Sequence, residues 1–190
     1  RSDIHWQYPV VEFIVAIVFV LVSYLHNFHV NLILTPELLR DLIVVFLFIF
    51  IFIYDLKYQE ILDRVTLFPA LLLFWGSIAM NWFSWFDMAL GILVGGGFFL
   101  LQYLISGGKW IGGGDIRLGV FMGVVLGWQN TVLALFLGYI IGAFVSIYLL
   151  VTKKKNTKSE VPFGTFLVIG TFIAMFWGGF IIDWYLSFLS

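Results

Sequence analysis

Long apolar runs separated by short polar links organise this chain. Residues 13–36 contain no Asp, Glu, Lys or Arg, and the first half of that stretch reads as one helix. A second runs from about Leu38 to Tyr54, a third from Val65 to Phe86 and a fourth from Met88 to Gly108. Leu118 to Thr152 is uncharged for 35 residues, too long for one crossing of a bilayer that takes about 20. It divides at Gly127-Trp128-Gln129-Asn130, a polar, glycine-containing turn, into a short fifth helix and a sixth. Val161 to Ile182 is the seventh. Closed β-barrels are the other way to satisfy the backbone in lipid, but they show short alternating segments rather than continuous apolar runs. The pattern predicts an all-α, polytopic transmembrane bundle of about seven spans, with residues 1–190 forming one domain.

Composition supports lipid as the solvent. Hydrophobic residues make up 62% of the chain and charged residues 11%, against about 25% charged in a soluble domain. A net charge of −1 gives no reason to expect a nucleic-acid partner. There is no cysteine, so disulfides, Cys-based zinc sites and Cys nucleophiles are excluded. The opening Arg1-Ser2-Asp3-Ile4-His5 lacks the form of a cleavable signal peptide, and none is expected. Orientation follows from Lys and Arg, which favour the cytoplasmic side. With seven spans, nine of the ten (Arg1, Lys57, Arg64, Lys109, Arg117, Lys153, Lys154, Lys155 and Lys158) fall on one side and only Arg40 on the other. The N-terminus is therefore expected in the cytoplasm. The Lys153–Lys158 run is read as a solvated loop that fixes topology.

Ionisable groups at membrane depth are costly and mark functional sites. Most acids here have ordinary positions: Glu37 and Asp41 at the outer end of span two, Asp63 as the cap of span three, Asp87 as the cap of span four, Asp183 near the C-terminus, Asp3 and Glu160 in aqueous segments. Asp55 and Asp115 stand apart. Asp55 follows the uncharged run Leu42 to Tyr54 at the inner end of span two. Asp115 ends a run of three glycines, Gly112-Gly113-Gly114, which permits close backbone approach and unusual φ/ψ. Topology brings the two acids to the same side at similar depth. Two carboxyls at one site tend to share a proton. The ionised one can activate water while the other protonates a leaving amine. Capping would explain Asp115 alone, but Asp55 lies at a helix C-terminus, where the dipole disfavours it. The residues by themselves leave two readings open, a catalytic dyad or an ion or proton pathway.

Other features read as structural. Gly119, Gly123 and Gly127, with Gly91 and Gly95 and with Gly138 and Gly142, repeat every four residues and suit close helix packing in lipid. Trp82, Trp85, Trp128 and Trp184 at span ends fit interfacial anchoring. His5 lies on the inner side and His26 and His29 on the outer, so a His-based metal site is not expected.

Four motifs in order extend these readings. Gly112-Gly113-Gly114-Asp115-Ile116-Arg117-Leu118 resembles the GxGD-x-K-L motif of type IV prepilin peptidases. The stretch from Asp55 through Lys57, Asp63 and Arg64 to Leu67 resembles the family's segment around its first catalytic aspartate. Val161-Pro162-Phe163-Gly164 is similar to its I-P-F-G motif, and Tyr8-Pro9-Val10-Val11-Glu12 to its Y-P-x-V-E motif. The resemblance implies a membrane aspartyl endopeptidase with Asp55 and Asp115 as the catalytic pair. Gly112, Gly113, Gly114, Arg117, Lys57, Asp63, Pro162, Phe163 and Gly164 would position the loop and the substrate. It implies an inner-membrane protein whose active site faces the cytoplasm and whose partners are the bilayer and prepilin-like or pseudopilin-like substrates, cut after the glycine that ends the leader. No cofactor or metal is implied for cleavage; S-adenosylmethionine enters only if the chain also methylates the new N-terminus.

Two departures from the family pattern are visible. Arg117 stands where the family has Lys, and the earlier segment with two Cys-x-x-Cys pairs is absent, so the chain is expected to be a piece of a longer protein or a member without those cysteines. Methylation is accordingly expected to be weak. The alternative of another class is a small ion- or proton-coupled transporter using the same two aspartates.

Overall fold

The computed structural model describes residues 7–26, 34–152 and 162–188. Arg1, Asp3, His5, His29, the Lys153–Lys158 run, Glu160 and Val161 lie outside them. The described residues form six helices and no strand: α1 (Gln7–Leu25), α2 (Pro36–Tyr58), α3 (Asp63–Ala79), α4 (Trp85–Ser106), α5 (Gly113–Val151) and α6 (Phe163–Ser187). Three of them, α4, α5 and α6, are long and apolar enough to cross a membrane. The fifth and sixth expected spans form the single element α5, broken at Gly127, where φ is 70° and ψ 178°. The third expected span is shorter than the apolar run that suggested it. Helix α3 stops at Ala79 because the chain turns there: Asn81 takes φ 53° and the Trp82 N–H reaches back to the Ser77 carbonyl at 3.0 Å.

The chain divides into two compact units, Arg1–Phe50 and Ile51–Ser190. In the first, Asp41 is 8% exposed and takes up the only cation expected on the outer side. Arg40 Nε donates to its Oδ1 at 2.6 Å, and His26 Nε2 lies 3.2 Å from its Oδ2. The second unit is built around α5, which packs against α3, α4 and α6. Glycines set its closest approach. A β-carbon on Gly91 would run into the Gly123 carbonyl, and one on Gly95 into the Gly119 carbonyl. Gly170 meets the backbone of Ala134 and Gly138 in the same way, so α5 lies against α4 on one side and α6 on the other at backbone contact. The packing role expected for the four-residue glycine repeat holds here.

That repeat also fixes a register. Gly91 faces Gly123 and Gly95 faces Gly119, so moving four residues along α4 moves four back along α5. One step further places Phe99 beside the first turn of α5, and its ring does approach Gly119. Helix α4 continues to Ser106, about two turns or roughly 10 Å beyond that level. The start of α5 is thus recessed below the end of α4, and the link 107–112 turns back to reach it, with Ile111 buried and Lys109 and Trp110 exposed. Gly107 and Gly108, at φ 60° and 75°, make that reversal.

Asp87 does not cap α4. Ser84 does, accepting the Phe86 N–H at 3.3 Å, while Asp87 Oδ1 accepts the Trp128 N–H at 3.3 Å where α5 restarts after its break. Asp63 likewise does not cap α3. Leu62 holds the N-cap position, and Asp63 begins the helix and pairs with Arg117.

Candidate active site

Asp55 lies one turn before the end of α2, which stops when Gln59 adopts φ 53°. The side chain is 4% exposed. A carboxyl buried at a helix C-terminus faces carbonyl oxygens of its own helix and needs a donor from elsewhere. The donor is the first turn of α6: the Thr165 N–H reaches Asp55 Oδ2 at 2.8 Å. The Thr165 hydroxyl bonds back to the Pro162 carbonyl at 2.5 Å, tightening that turn. Gly164 is what lets the two helices meet. A β-carbon there would stand 2.9 Å from Asp55 Oδ2 and 3.0 Å from Ile61 Cδ1.

Asp115 sits in the first turn of α5, and its Oδ2 accepts the Gly112 N–H at 3.2 Å. The capping interaction and a role facing the cavity coexist, because only one oxygen is used. The three glycines before it are not equivalent, and none of them takes the unusual φ/ψ expected of the run. Gly112 has ordinary extended geometry (φ −77°, ψ 156°), and none of the three has positive φ. Around Gly113 a β-carbon would meet nothing within 4 Å, whereas at Gly114 it would stand 2.9 Å from Ile61 Cβ. The third glycine alone answers to close packing.

The two carboxyls line one cavity of about 600 Å³ and lie within electrostatic range of each other. Asp55 Oδ1 and Asp115 Oδ1 make no hydrogen bond with the described residues, so each acid is oriented through one oxygen and keeps the other. Gly112, Gly113, Gly114, Arg117, Pro162, Phe163 and Gly164 line the same cavity. Lys57 and Asp63 do not: Lys57 Nζ lies 5.1 Å from the Tyr58 ring centroid, and Asp63 is engaged by Arg117. The link 107–112 adds Lys109 and an exposed Trp110 to the rim, and Gln59, Glu60 and Ile61 complete the wall on the α2 side. Behind Phe163, the Tyr139 ring packs edge-on at 4.9 Å and its hydroxyl bonds Gln102 at 3.0 Å. Among the described residues no group of three or more His, Asp or Glu side chains is placed to hold a metal ion.

Sequence reasoning missed Thr165, Ile61 and Trp110. Thr165 contributes its backbone, which leaves no side-chain signature; its place just after Pro162-Phe163-Gly164, opening a helix, was the available signal. Ile61 is one of two apolar residues in the four-residue link 59–62, and only the missing β-carbons around it reveal what it does.

Comparison with known proteins bears on the same residues. The profile of the type IV leader peptidase family matches residues 42–147, more than half of the chain, and that stretch includes both Asp55 and Asp115. The "Prepilin leader peptidase/N-methyltransferase" of Aeromonas hydrophila is 29% identical over 200 residues, covering 98% of this chain and 64% of the relative. The protein of that name from Legionella pneumophila is 30% identical over 189 residues (96% and 63%), and that from Bacillus subtilis (strain 168) 27% over 184 (97% and 71%). The chain thus spans less than two thirds of the first two relatives. No solved structure matches it significantly. With the profile covering most of the cavity wall and the relatives aligned along nearly the whole length, this chain belongs to the type IV leader peptidase family.

Proposed function

We propose that this chain is a membrane aspartyl endopeptidase that removes the leader of prepilin-like proteins, with Asp55 and Asp115 as its catalytic pair. The observation that carries the reading is the shared cavity, in which each carboxyl is held through one oxygen by a backbone N–H and presents the other with no hydrogen bond among the described residues. Fixed orientation is what proton transfer needs, since positioning supplies much of a catalytic rate.

The chemistry balances on these two groups and water. The ionised carboxylate takes a proton from water as its oxygen bonds to the scissile carbonyl carbon. The neutral carboxyl of the partner gives its proton to the amide nitrogen as the carbon–nitrogen bond breaks. The products are a carboxylic acid on the leader and a free amine on the mature chain, with one proton exchanged between the two aspartates. Because the step needs one neutral and one charged carboxyl, its rate falls on both sides of an optimum pH.

The proposal includes seven crossings, a cytoplasmic N-terminus and a cavity that opens at the cytoplasmic face, supported by the nine-to-one division of Lys and Arg. The recessed start of α5 suits a substrate that is itself a membrane helix, because its peptide bond would be reached below the end of α4. Glu60 and the aspartates suit a basic leader, and cleavage is placed after the glycine that ends it. Methylation of the new N-terminus is expected to be weak. An adenosine cofactor held in the common way needs a glycine-rich loop after a strand, and here the glycine runs line helices or their ends.

The test is incubation of the purified chain with a prepilin-like peptide in lipid, with and without S-adenosylmethionine, followed by mass spectrometry. A cut after the leader glycine, absent when that glycine is replaced by a bulky residue, supports the reading. Equal cutting of both peptides, or none of either, overturns it. A product heavier by one methyl group would show that this chain carries the transferase site as well.

A further inference from the structure

Ile61 occupies the space left by two missing β-carbons. On one side is Gly114, the residue before Asp115, where an added β-carbon would stand 2.9 Å from Ile61 Cβ and 3.4 Å from its Cγ1. On the other is Gly164, the residue before Thr165, where it would stand 3.0 Å from Ile61 Cδ1. Ile61 itself is buried, 7% exposed, in the link between α2 and α3, and lines the cavity. One apolar side chain therefore touches both helix starts that organise the acids: the start of α5, which carries Asp115, and the start of α6, whose Thr165 N–H holds Asp55.

We infer that Ile61 is a positioning residue, a spacer between the first turns of α5 and α6 that sets the separation of Asp55 and Asp115. The two glycines and the isoleucine form one device. Each glycine supplies a gap at a helix start, and a branched side chain of fixed shape fills both gaps at once. Packed interiors do not deform continuously, so the width of this wedge is transmitted to the backbone on either side. Shortening it lets the two starts close up and brings the carboxyls nearer. Their mutual repulsion then rises, and their two protonation steps move further apart. Misplacement by about 1 Å costs a catalytic step on the order of 10²-fold.

The catalytic part rests on the peptidase reading; the geometric part does not. Both are read in one experiment on the full chain in lipid. The aspartates carry ¹³C labels, Asp55→Asn and Asp115→Asn assign the two carboxyl signals, and their titration is followed in the wild type, Ile61→Ala, Ile61→Val and Leu167→Ala. Leu167 is fully buried, packs against Gly138 and does not line the cavity, and it controls for loss of packing alone. Ile61→Ala widens the spacing between the two steps, Ile61→Val restores most of the wild-type spacing, and Leu167→Ala leaves it unchanged. Glu60, Lys109 and Arg117 line the same cavity in every variant, so the change reports the dyad. Cleavage of a prepilin-like peptide by the same samples shows kcat falling about 10²-fold in Ile61→Ala with KM little altered. Spacing that is the same in Ile61→Ala and wild type, or that changes equally in Leu167→Ala, overturns the inference. A wild type that cleaves nothing overturns the peptidase reading, while the titration still decides the spacer.

Discussion

Two aspartates in this protein solve the same local problem and come to different ends. Asp55 and Asp87 each accept a backbone N–H from the first turn of a different helical segment, Thr165 for the one and Trp128 for the other. Both contacts join helix to helix. At Asp87 the acid stands against Gly127, where a β-carbon would collide with its carboxyl, and it does not line the cavity that holds Asp55 and Asp115. That arrangement caps a broken helix. At Asp55 the same kind of contact leaves one oxygen with no hydrogen bond among the described residues, in a cavity shared with Asp115. An acid tied to a helix start is therefore a structural element by default, and becomes a candidate for chemistry when a second acid and open volume accompany it.

The sharpest way to break the comparison is to neutralise each acid in turn. Asp55→Asn and Asp115→Asn keep the shape and the acceptor oxygen but remove a proton-transfer group, so each should lower cleavage by about 10³-fold or more. Asp87→Asn should leave the rate of cleavage within twofold. Steady-state assays on a prepilin-like peptide, with helicity checked by circular dichroism, decide it. If Asp87→Asn proves as damaging as Asp55→Asn, the division into structural and chemical acids fails.

The glycines sharpen it next. Gly164→Ala forces a methyl group against Asp55 Oδ2 and should reduce kcat on the order of 10²-fold through misplacement. Gly113→Ala meets open space and should cleave at the wild-type rate. Equal losses at both would mean that the motif acts through flexibility rather than fit.

These contrasts also show what could be read from the chain alone. The helical class followed from run length and charge content, and the break in the long uncharged run falls at Gly127, where a glycine precedes polar residues. The two acids were legible because each is out of place: Asp55 at the end of an uncharged run, Asp115 after three glycines. Contacts between distant segments were not legible. Asp63 looked like a cap and pairs instead with Arg117, and Asp87 looked like a cap and serves the start of another segment. A cap on one's own helix is a short-range pattern, whereas a cap on a neighbour depends on which helices pack together. The glycine run misled for the same reason. Its composition suggested unusual backbone angles, but the requirement at Gly114 comes from Ile61, 53 residues earlier in the chain.

At the structural end of the molecule the effects should be on stability and not on rate. Gly127→Ala places a β-carbon at φ 70° and against Asp87, and should cost about 1–3 kcal/mol. Asp87→Ala removes the acceptor for Trp128 and should cost about 1 kcal/mol, as the loss of a helix cap does. Both are read as lowered thermal midpoints in detergent, with unchanged kcat in the protein that remains folded. A fall in kcat at the assay temperature without a fall in midpoint would tie this end of α5 to the chemistry.

The smallest effect is expected where the contact looks most like a functional one. Arg117 lines the cavity, belongs to the glycine–aspartate motif and pairs with Asp63 across α3 and α5. Yet both side chains are open to water, with relative exposures of 40% and 55%. Exposed ion pairs contribute about 0–1 kcal/mol because solvent screens the attraction and ordering two long side chains costs entropy. Asp63 is outside the cavity wall, so Asp63→Asn removes the pair without touching the acids. Cleavage should stay within about threefold of wild type, the range that a change of up to roughly 0.7 kcal/mol allows. The thermal midpoint should move little, and added salt should remove what difference there is. A loss approaching that of Asp55→Asn would mean that Asp63 acts on the reaction through Arg117, and the division drawn between cavity and surround would have to move outward to include it.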